Sequence, residues 1–276
     1  SGRDEVRRSR FQGARLLLVE DDRINELVAT KMLDRAGFEV NVARDGASAI
    51  EMAGSGEHDL VLMDVQLPDM DGYAATRVIR ERETDGTAVP ILAMTANPMD
   101  DNRSACIEAG MNGFIAKPVD RAQMIRVIDE NLRHAGLAER TLEIPEPAVE
   151  AKEAEVTPVS SEIEILDRQV FEQFSNDVGT DFRDTLVEEF VTETAGKVDS
   201  IGLAIQAGDF EEAQRLSHSL KSGAGTFGAI ALQRCAERLE AASAMGDRGG
   251  LDRLHAELVP LAQRSVERVR AEAQAG

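Results

Sequence analysis

Tryptophan is missing from this 276-residue chain, tyrosine occurs once, and aromatic residues make up only 4%. Any packed core must therefore be built from Leu, Val, Ile, Ala and Met. Cysteine is nearly absent too: Cys106 and Cys235 stand far apart, without metal-ligand spacing. That excludes a disulfide framework and fits a reducing compartment. Long apolar runs are lacking. The longest, Leu16–Val19 and Leu60–Met63, fall far short of the roughly 18 residues that span a bilayer. No membrane contact by this segment is expected, and no signal-peptide pattern is visible. The expected location is the cytoplasm, with any membrane anchor lying upstream in a parent protein. Positive charge is scarce: Lys and Arg number 31 against 51 acids, a net charge of −20. Only residues 1–12 carry a positive balance, so nucleic-acid binding is disfavoured. The chain opens on Ser1-Gly2, which reads as a tag remnant or the edge of an excised fragment.

What is present divides into four stretches. Residues 1–12 form an N-terminal arm or tag remnant. Residues 13–134 alternate short strand-like runs with amphipathic ones: Arg15–Val19, Glu39–Ala43, Asp59–Met63, Pro90–Thr95 and Gly113–Ala116 as strands, with helices near 23–35, 46–53, 73–83, 98–109 and 120–132. Five such units predict an α/β doubly wound, mostly parallel sheet covered on both faces. Residues 135–163 are acidic and hold Pro145, Pro147 and Pro158, which predicts an extended linker with room for a short helix near Val149–Glu155. From 164 to 276 only helical spacing remains, as at Leu186, Val187, Phe190 and Val191, or Leu251, Leu254, Leu258 and Leu261. Asp167 and Asp209 are placed to cap helices, the latter with Glu212 at capping-box distance. An all-α antiparallel bundle of four or five helices follows.

In a doubly wound sheet, functional side chains gather past the carboxyl ends of the strands. Glu20 and Asp21 follow the first strand, while Asp64, Thr95 and Lys117 stand at the ends of the third, fourth and fifth. Clustered carboxylates raise one another's pKa unless a cation sits among them, and a hard divalent ion such as Mg²⁺ suits an all-oxygen set. Such an ion would leave Asp64 free to attack phosphorus, with the Thr95 hydroxyl and Lys117 ammonium on the phosphoryl oxygens.

These residues sit in longer strings: Leu16-Leu17-Leu18-Val19-Glu20-Asp21-Asp22, Met63-Asp64-Val65-Gln66-Leu67-Pro68-Asp69-Met70-Asp71-Gly72, Ala93-Met94-Thr95-Ala96 and Phe114-Ile115-Ala116-Lys117-Pro118. Residues 13–134 thereby resemble the receiver domain of two-component systems, with its flavodoxin-like, five-stranded parallel sheet. The resemblance implies Asp64 as phosphoacceptor and Mg²⁺ held by Glu20, Asp21, Asp64 and the Gln66 main-chain carbonyl. It also implies a Thr95/Phe114 switch and a cis peptide before Pro118. Asp22 stands where Asn is frequent and adds a charge at the rim. Phe114 replaces the commoner Tyr, so a switch there lacks a hydroxyl.

In the helical half, Leu216 and Leu220 mark one face of a helix, and His218 points about 200° away from each, with Arg215, Lys221 and Ser222 beside it. A solvent-facing imidazole can act as a nucleophile near neutral pH, and Lys221 supplies positive charge for a phosphoryl group. Gly223, Gly225 and Gly228 follow closely, and a surface lowered by glycines would admit another domain. His58, His134 and His255 lack comparable surroundings.

The string Leu216-Ser217-His218-Ser219-Leu220-Lys221-Ser222-Gly223-Ala224-Gly225-Thr226-Phe227-Gly228, with Leu239-Glu240 beyond it, resembles the histidine-containing phosphotransfer (HPt) domain, a four-helix bundle. The resemblance implies phosphorylation on a ring nitrogen of His218. The pair together predicts a phosphorelay module from the C-terminal part of a hybrid histidine kinase. Asp64 would take a phosphoryl group from a kinase phosphohistidine, upstream or in trans, and exchange it with His218. That histidine would serve the receiver of a downstream response regulator. No glycine-rich ATP lid is visible, so the chain is not expected to phosphorylate itself. The competing expectation is a stand-alone adaptor whose docking surface switches on phosphorylation.

Overall fold

Alternating apolar runs and amphipathic helices become ten elements in the first half of the chain. They are β1 Arg15–Val19, α1 Arg23–Ala36, β2 Glu39–Ala43, α2 Gly46–Ala53, β3 Leu60–Asp64, α3 Gly72–Arg82, β4 Ile91–Thr95, α4 Asp100–Ala109, β5 Gly113–Ala116 and α5 Arg121–His134. The computed structural model describes residues 8–83, 88–95, 100–137 and 165–275. The linker from residue 138 onward, with the short helix expected near Val149–Glu155, lies outside the described residues.

The strands form one parallel sheet in the order β2-β1-β3-β4-β5. Chain direction across the sheet reverses between β1 and β3, which pair from Leu16↔Leu60 to Val19↔Met63. Both strands are buried on both faces because successive side chains point to opposite layers. Leu16, Leu18, Leu60 and Leu62 face α1 and α5, whereas Leu17, Val19, Val61 and Met63 face α2, α3 and α4. Part of the expected arm belongs to this fold. Phe11 is fully buried, and the Ser9 hydroxyl donates to Asp129 of α5 at 2.6 Å.

The second half is helical: α6 Arg168–Val178, α7 Thr180–Ala207, α8 Phe210–Thr226, α9 Ile230–Ala244 and α10 Arg248–Ala275. Helices α7, α8, α9 and α10 close a ring, each packing on its two neighbours, as a four-helix bundle requires. The few aromatics are concentrated here. Phe227 lies 4.4 Å, centroid to centroid, from both Phe174 and Phe190. Asp167 and Asp209 cap α6 and α8 as expected, but the capping box at Asp209 is half-formed. Glu212 turns its carboxylate to Arg215 at 2.7 Å instead of back to the cap.

Two of the glycines after His218 serve the bundle's own packing at least in part. A Cβ on Gly225 would come within 2.9 Å of Gln233 on α9, and one on Gly228 within 2.6 Å of the Asp167 carbonyl. Gly225 also lines the seam beside Lys117 and Pro118, in keeping with a surface lowered toward another domain. Gly228, in the turn after α8 at φ +69°, lets the start of α6 approach, and for it that expectation is corrected.

The sheet unit and the bundle are packed together. Helix α1 lies against α6, α7 and α8, and its apolar residues Val28 and Ala29 join one cluster with the bundle core. At the edges, Arg35 donates to the Val178 carbonyl at 3.3 Å, and the Lys31 ammonium sits 4.8 Å from the Phe182 ring centroid.

Candidate functional site

Because β1 and β3 are neighbours, the residues that leave their carboxyl ends converge. Glu20, Asp21 and Asp64 bring carboxylate oxygens within 4.8 Å of one another. Glu20 and Asp64 are buried. Lys117, just past β5, is carried into this cluster by a main-chain bond from its N–H to the Thr95 carbonyl at 2.8 Å. Its ammonium then donates to Asp64 Oδ2 at 2.6 Å and to Glu20 Oε2 at 2.7 Å. The other Asp64 oxygen accepts the Gln66 N–H at 3.2 Å. A cis peptide joins Lys117 to Pro118, as the resemblance implied.

The Lys117 ammonium, with the half-exposed Arg215 3.5 Å from Asp21, does not balance three carboxylates. Burial, with Asp64 and Asp22 nearby, pushes Glu20 up to about 8 even against the pull of Lys117. Asp21 is raised by burial and by the same neighbouring acids. Lys117 is held above its ordinary value: burial would lower it, but Asp64 and Glu20 outweigh burial. A deficit of positive charge in an all-oxygen donor set is what a hard divalent cation relieves, so these residues fit Mg²⁺. Thr95 ends β4 and is buried. Phe114 stands opposite Ala93 in the β4–β5 register and packs on the α2–α4 side of the sheet.

His218, on α8, is turned toward this acid cluster and lines the same cleft as Asp64, Gln66 and Lys117. Its expected orientation away from the bundle core holds, but its expected exposure does not. Only 14% of the side chain remains accessible, because the sheet unit covers it. Glu240 of α9 accepts from His218 Nδ1 at 2.7 Å and from Lys221 at 2.6 Å. Both contacts hold the Glu240 carboxyl below its ordinary range despite partial burial. With Nδ1 engaged, Nε2 is the nitrogen left for chemistry.

The seam between the two units is polar around His218. Asp22 is not a rim charge. Its Oδ1 caps α1 by accepting the Asn25 N–H at 3.0 Å, while Oδ2 accepts from Lys197 of α7 and from Ser219. Burial opposes its ionisation, but Lys197 prevails and holds the carboxyl below its usual range. Asn25 spans the seam, donating to Glu20 at 3.1 Å and to Ser222 at 3.1 Å. Arg215 reaches Asp21 at 3.5 Å. Lys197 and Asn25 escaped sequence reasoning. The usable signal was Asp22 itself, an extra acid beside two others that needs a cation once buried.

The model of the response regulator receiver domain matches residues 16–129, and that of the Hpt domain matches residues 185–272. The chain carries a receiver domain followed by an Hpt domain. The Escherichia coli O157:H7 aerobic respiration control sensor protein ArcB is 30% identical over 226 residues, 82% of this chain and 27% of that protein. Sensor protein GacS of Pseudomonas syringae pv. syringae is 37% identical over 147 residues, 52% of this chain and 16% of that protein. The receiver domain of sensor histidine kinase PA1611 from Pseudomonas aeruginosa was solved with magnesium coordinated in its active site cleft. It is 41% identical, with a TM-score of 0.41, covering 44% of this chain and 98% of that one. The chain spans about a quarter or less of the length of the curated relatives named here.

The receiver has the flavodoxin-like parallel sheet and the Hpt domain the helical bundle that the resemblances implied. Such a pair places the chain in two-component phosphorelay signalling. Among the described residues, no helix is long and apolar enough to cross a membrane.

Proposed function

We propose that Asp64 and His218 are the two phosphoacceptors of an intramolecular relay. The observation that supports this most is that both side chains line one cleft across the receiver–Hpt seam. An Asp64 oxygen attacks the phosphorus of a kinase phosphohistidine; the P–N bond breaks and an acyl phosphate forms. His218 Nε2 then attacks that phosphorus, the P–O bond to Asp64 breaks, and the carboxylate is regenerated. Transfer onward to a downstream receiver repeats the first step. A histidine kinase domain, in a parent chain or in trans, and a downstream response regulator are the partners this chemistry needs.

Each neighbour has a task. Glu20, Asp21, Asp64 and the Gln66 carbonyl would hold Mg²⁺, which when bound would neutralise charge for an incoming dianion. Lys117 leaves its bridge to Asp64 and follows the phosphoryl oxygens, joined by the Thr95 hydroxyl. Thr95 and Phe114 form the switch that reports the phosphorylated state. Glu240 positions His218 through Nδ1 and keeps Lys221 at hand. Residues 13–134 and 164–276 are the two functional units, connected through 135–163.

Acetyl phosphate with Mg²⁺ tests the reading. It should label Asp64 and then His218, the second product being stable to base and labile to acid. Asp64→Asn should abolish both labels, whereas His218→Gln should keep the first alone. Undiminished His218 labelling in Asp64→Asn would overturn the relay.

A further inference from the structure

We propose that Lys197 selects the receiver that docks on this Hpt domain, and that Asp22 is the group it reads. The inference rests on the relay reading above but concerns the choice of partner, not the chemistry.

Asp22 divides its two oxygens between two tasks. Oδ1 accepts the Asn25 N–H at 3.0 Å and caps the receiver's own α1. Oδ2 takes no part in that cap and is turned to the bundle, where Lys197 and Ser219 both donate to it. The residue is only 6% exposed. The cap would be equally served by Asn, so the receiver's fold does not need this charge. The seam does. Lys197 belongs to α7, outside the histidine helix, and its remaining acidic contact is Glu193 on its own helix at 2.9 Å.

The other polar contacts across the seam near His218 discriminate less. Asn25 and Ser222 are neutral partners at 3.1 Å. Arg215 is 42% exposed, stands 3.5 Å from Asp21, and is already committed to Glu212. Asp21 would also help to hold Mg²⁺ in the relay proposed above, which ties it to the chemistry and not to the choice of partner. Asp22 is free to vary. A receiver with a neutral residue there leaves the Lys197 ammonium desolvated with one acid fewer, and a basic residue repels it. Removing one partner of a buried, hydrogen-bonded charge pair weakens association by tenfold or more in typical interfaces.

The test uses the full chain in six forms: wild type, Lys197→Glu, Asp22→Asn, the double variant of these two, Lys197→Met, and Lys197→Met with Asp22→Asn. Asp64 is labelled with acetyl phosphate in each, and the rate of movement from Asp64 to His218 is normalised to that label. Lys197→Glu should slow the transfer by about tenfold or more. Adding Asp22→Asn should recover part of the loss, because it removes the new repulsion. Lys197→Met keeps the stem without the charge, and in that background Asp22→Asn should cost little more. Additive losses, or unchanged transfer in Lys197→Glu, would overturn the inference while leaving the relay standing. No label on His218 in the wild-type chain would overturn the relay and this inference together.

Discussion

Lys117 bridges Asp64 and Glu20, its ammonium 2.6 Å from one carboxylate and 2.7 Å from the other. With 6% of its side chain accessible, it is the buried cation that Asp64 and Glu20 share, and it holds the oxygen that acts as the nucleophile in the proposed relay. The same lysine thus restrains the resting site and is the natural counter-charge once a phosphoryl group arrives.

Lys117→Ala should therefore act on stability before it acts on chemistry. Removing one partner of a buried ion pair typically costs about 3–5 kcal/mol, because the charge left behind is uncompensated. Thermal unfolding of the metal-free variant should occur several degrees below wild type. Mg²⁺ should raise the variant's midpoint by more than it raises the wild type's. Equal Mg²⁺ responses in the two proteins would show that the lysine and the metal do not share a task.

Much of this site could be read along the chain because each residue is tied to a local event. Glu20, Asp21, Asp64 and Lys117 leave the ends of strands whose apolar runs are unmistakable, and a parallel sheet brings such ends together. The outward aim of His218 was legible from its position opposite Leu216 and Leu220 on one helix, and its role from the resemblance of the string 216–228 to the HPt domain. Contacts between elements far apart in sequence were not legible. Lys197 meets Asp22 across 175 residues, and nothing periodic marks either as a partner. Gly225 and Gly228 illustrate the converse. Gly225, inside α8, signalled a close approach, but that it faces both α9 and the receiver depended on three-dimensional packing, as did the approach of α6 to Gly228 in the turn after α8.

Gly72 gives a second prediction. It opens α3, and a Cβ there would lie 2.1 Å from the Asp64 carbonyl and 3.0 Å from Val65 Cα, both main-chain atoms. Backbone cannot swing aside as a flexible side chain can. Gly72→Ala should displace the loop that presents Asp64, costing about 1–3 kcal/mol by overpacking and slowing Asp64 labelling. Gly196→Ala, inside α7, is the contrasting control, since nothing lies within 4 Å of its Cβ. Normal labelling in Gly72→Ala would mean that the loop tolerates the shift.

Glu240 sets the pH behaviour on the Hpt side. Its folded-state pKa lies below the ordinary 4.5, held down by His218 and Lys221 against burial. A carboxyl with a lowered folded value contributes stability that is fully present above its unfolded pKa and is lost as pH falls through the folded one. Glu240→Gln should accordingly narrow the stability difference between neutral pH and pH below 4.5. It should also slow arrival of label at His218, because the ring loses the acceptor that fixes Nδ1. A variant with wild-type transfer and an unchanged acid limb in its stability curve would count against this positioning role.

The last prediction concerns whether the relay runs within one molecule. His218 and Asp64 line one cleft in a single chain, and α1 packs on α6, α7 and α8 with an apolar cluster running through the seam. Tethered sites that can meet have effective concentrations on the order of millimolar. Transfer from Asp64 to His218 should therefore be first order, with a rate constant unchanged on diluting the chain about a hundredfold below that level. Mixing Asp64→Asn with His218→Gln forces transfer between chains. In that mixture, the phosphorylated receiver must displace a receiver already seated over the acceptor histidine, of which 14% is accessible. The mixed reaction should be slower than the wild-type one and should fall with dilution. If the mixture instead outpaces the wild-type chain, the seated receiver blocks the histidine rather than serving it, and the productive encounter is between molecules.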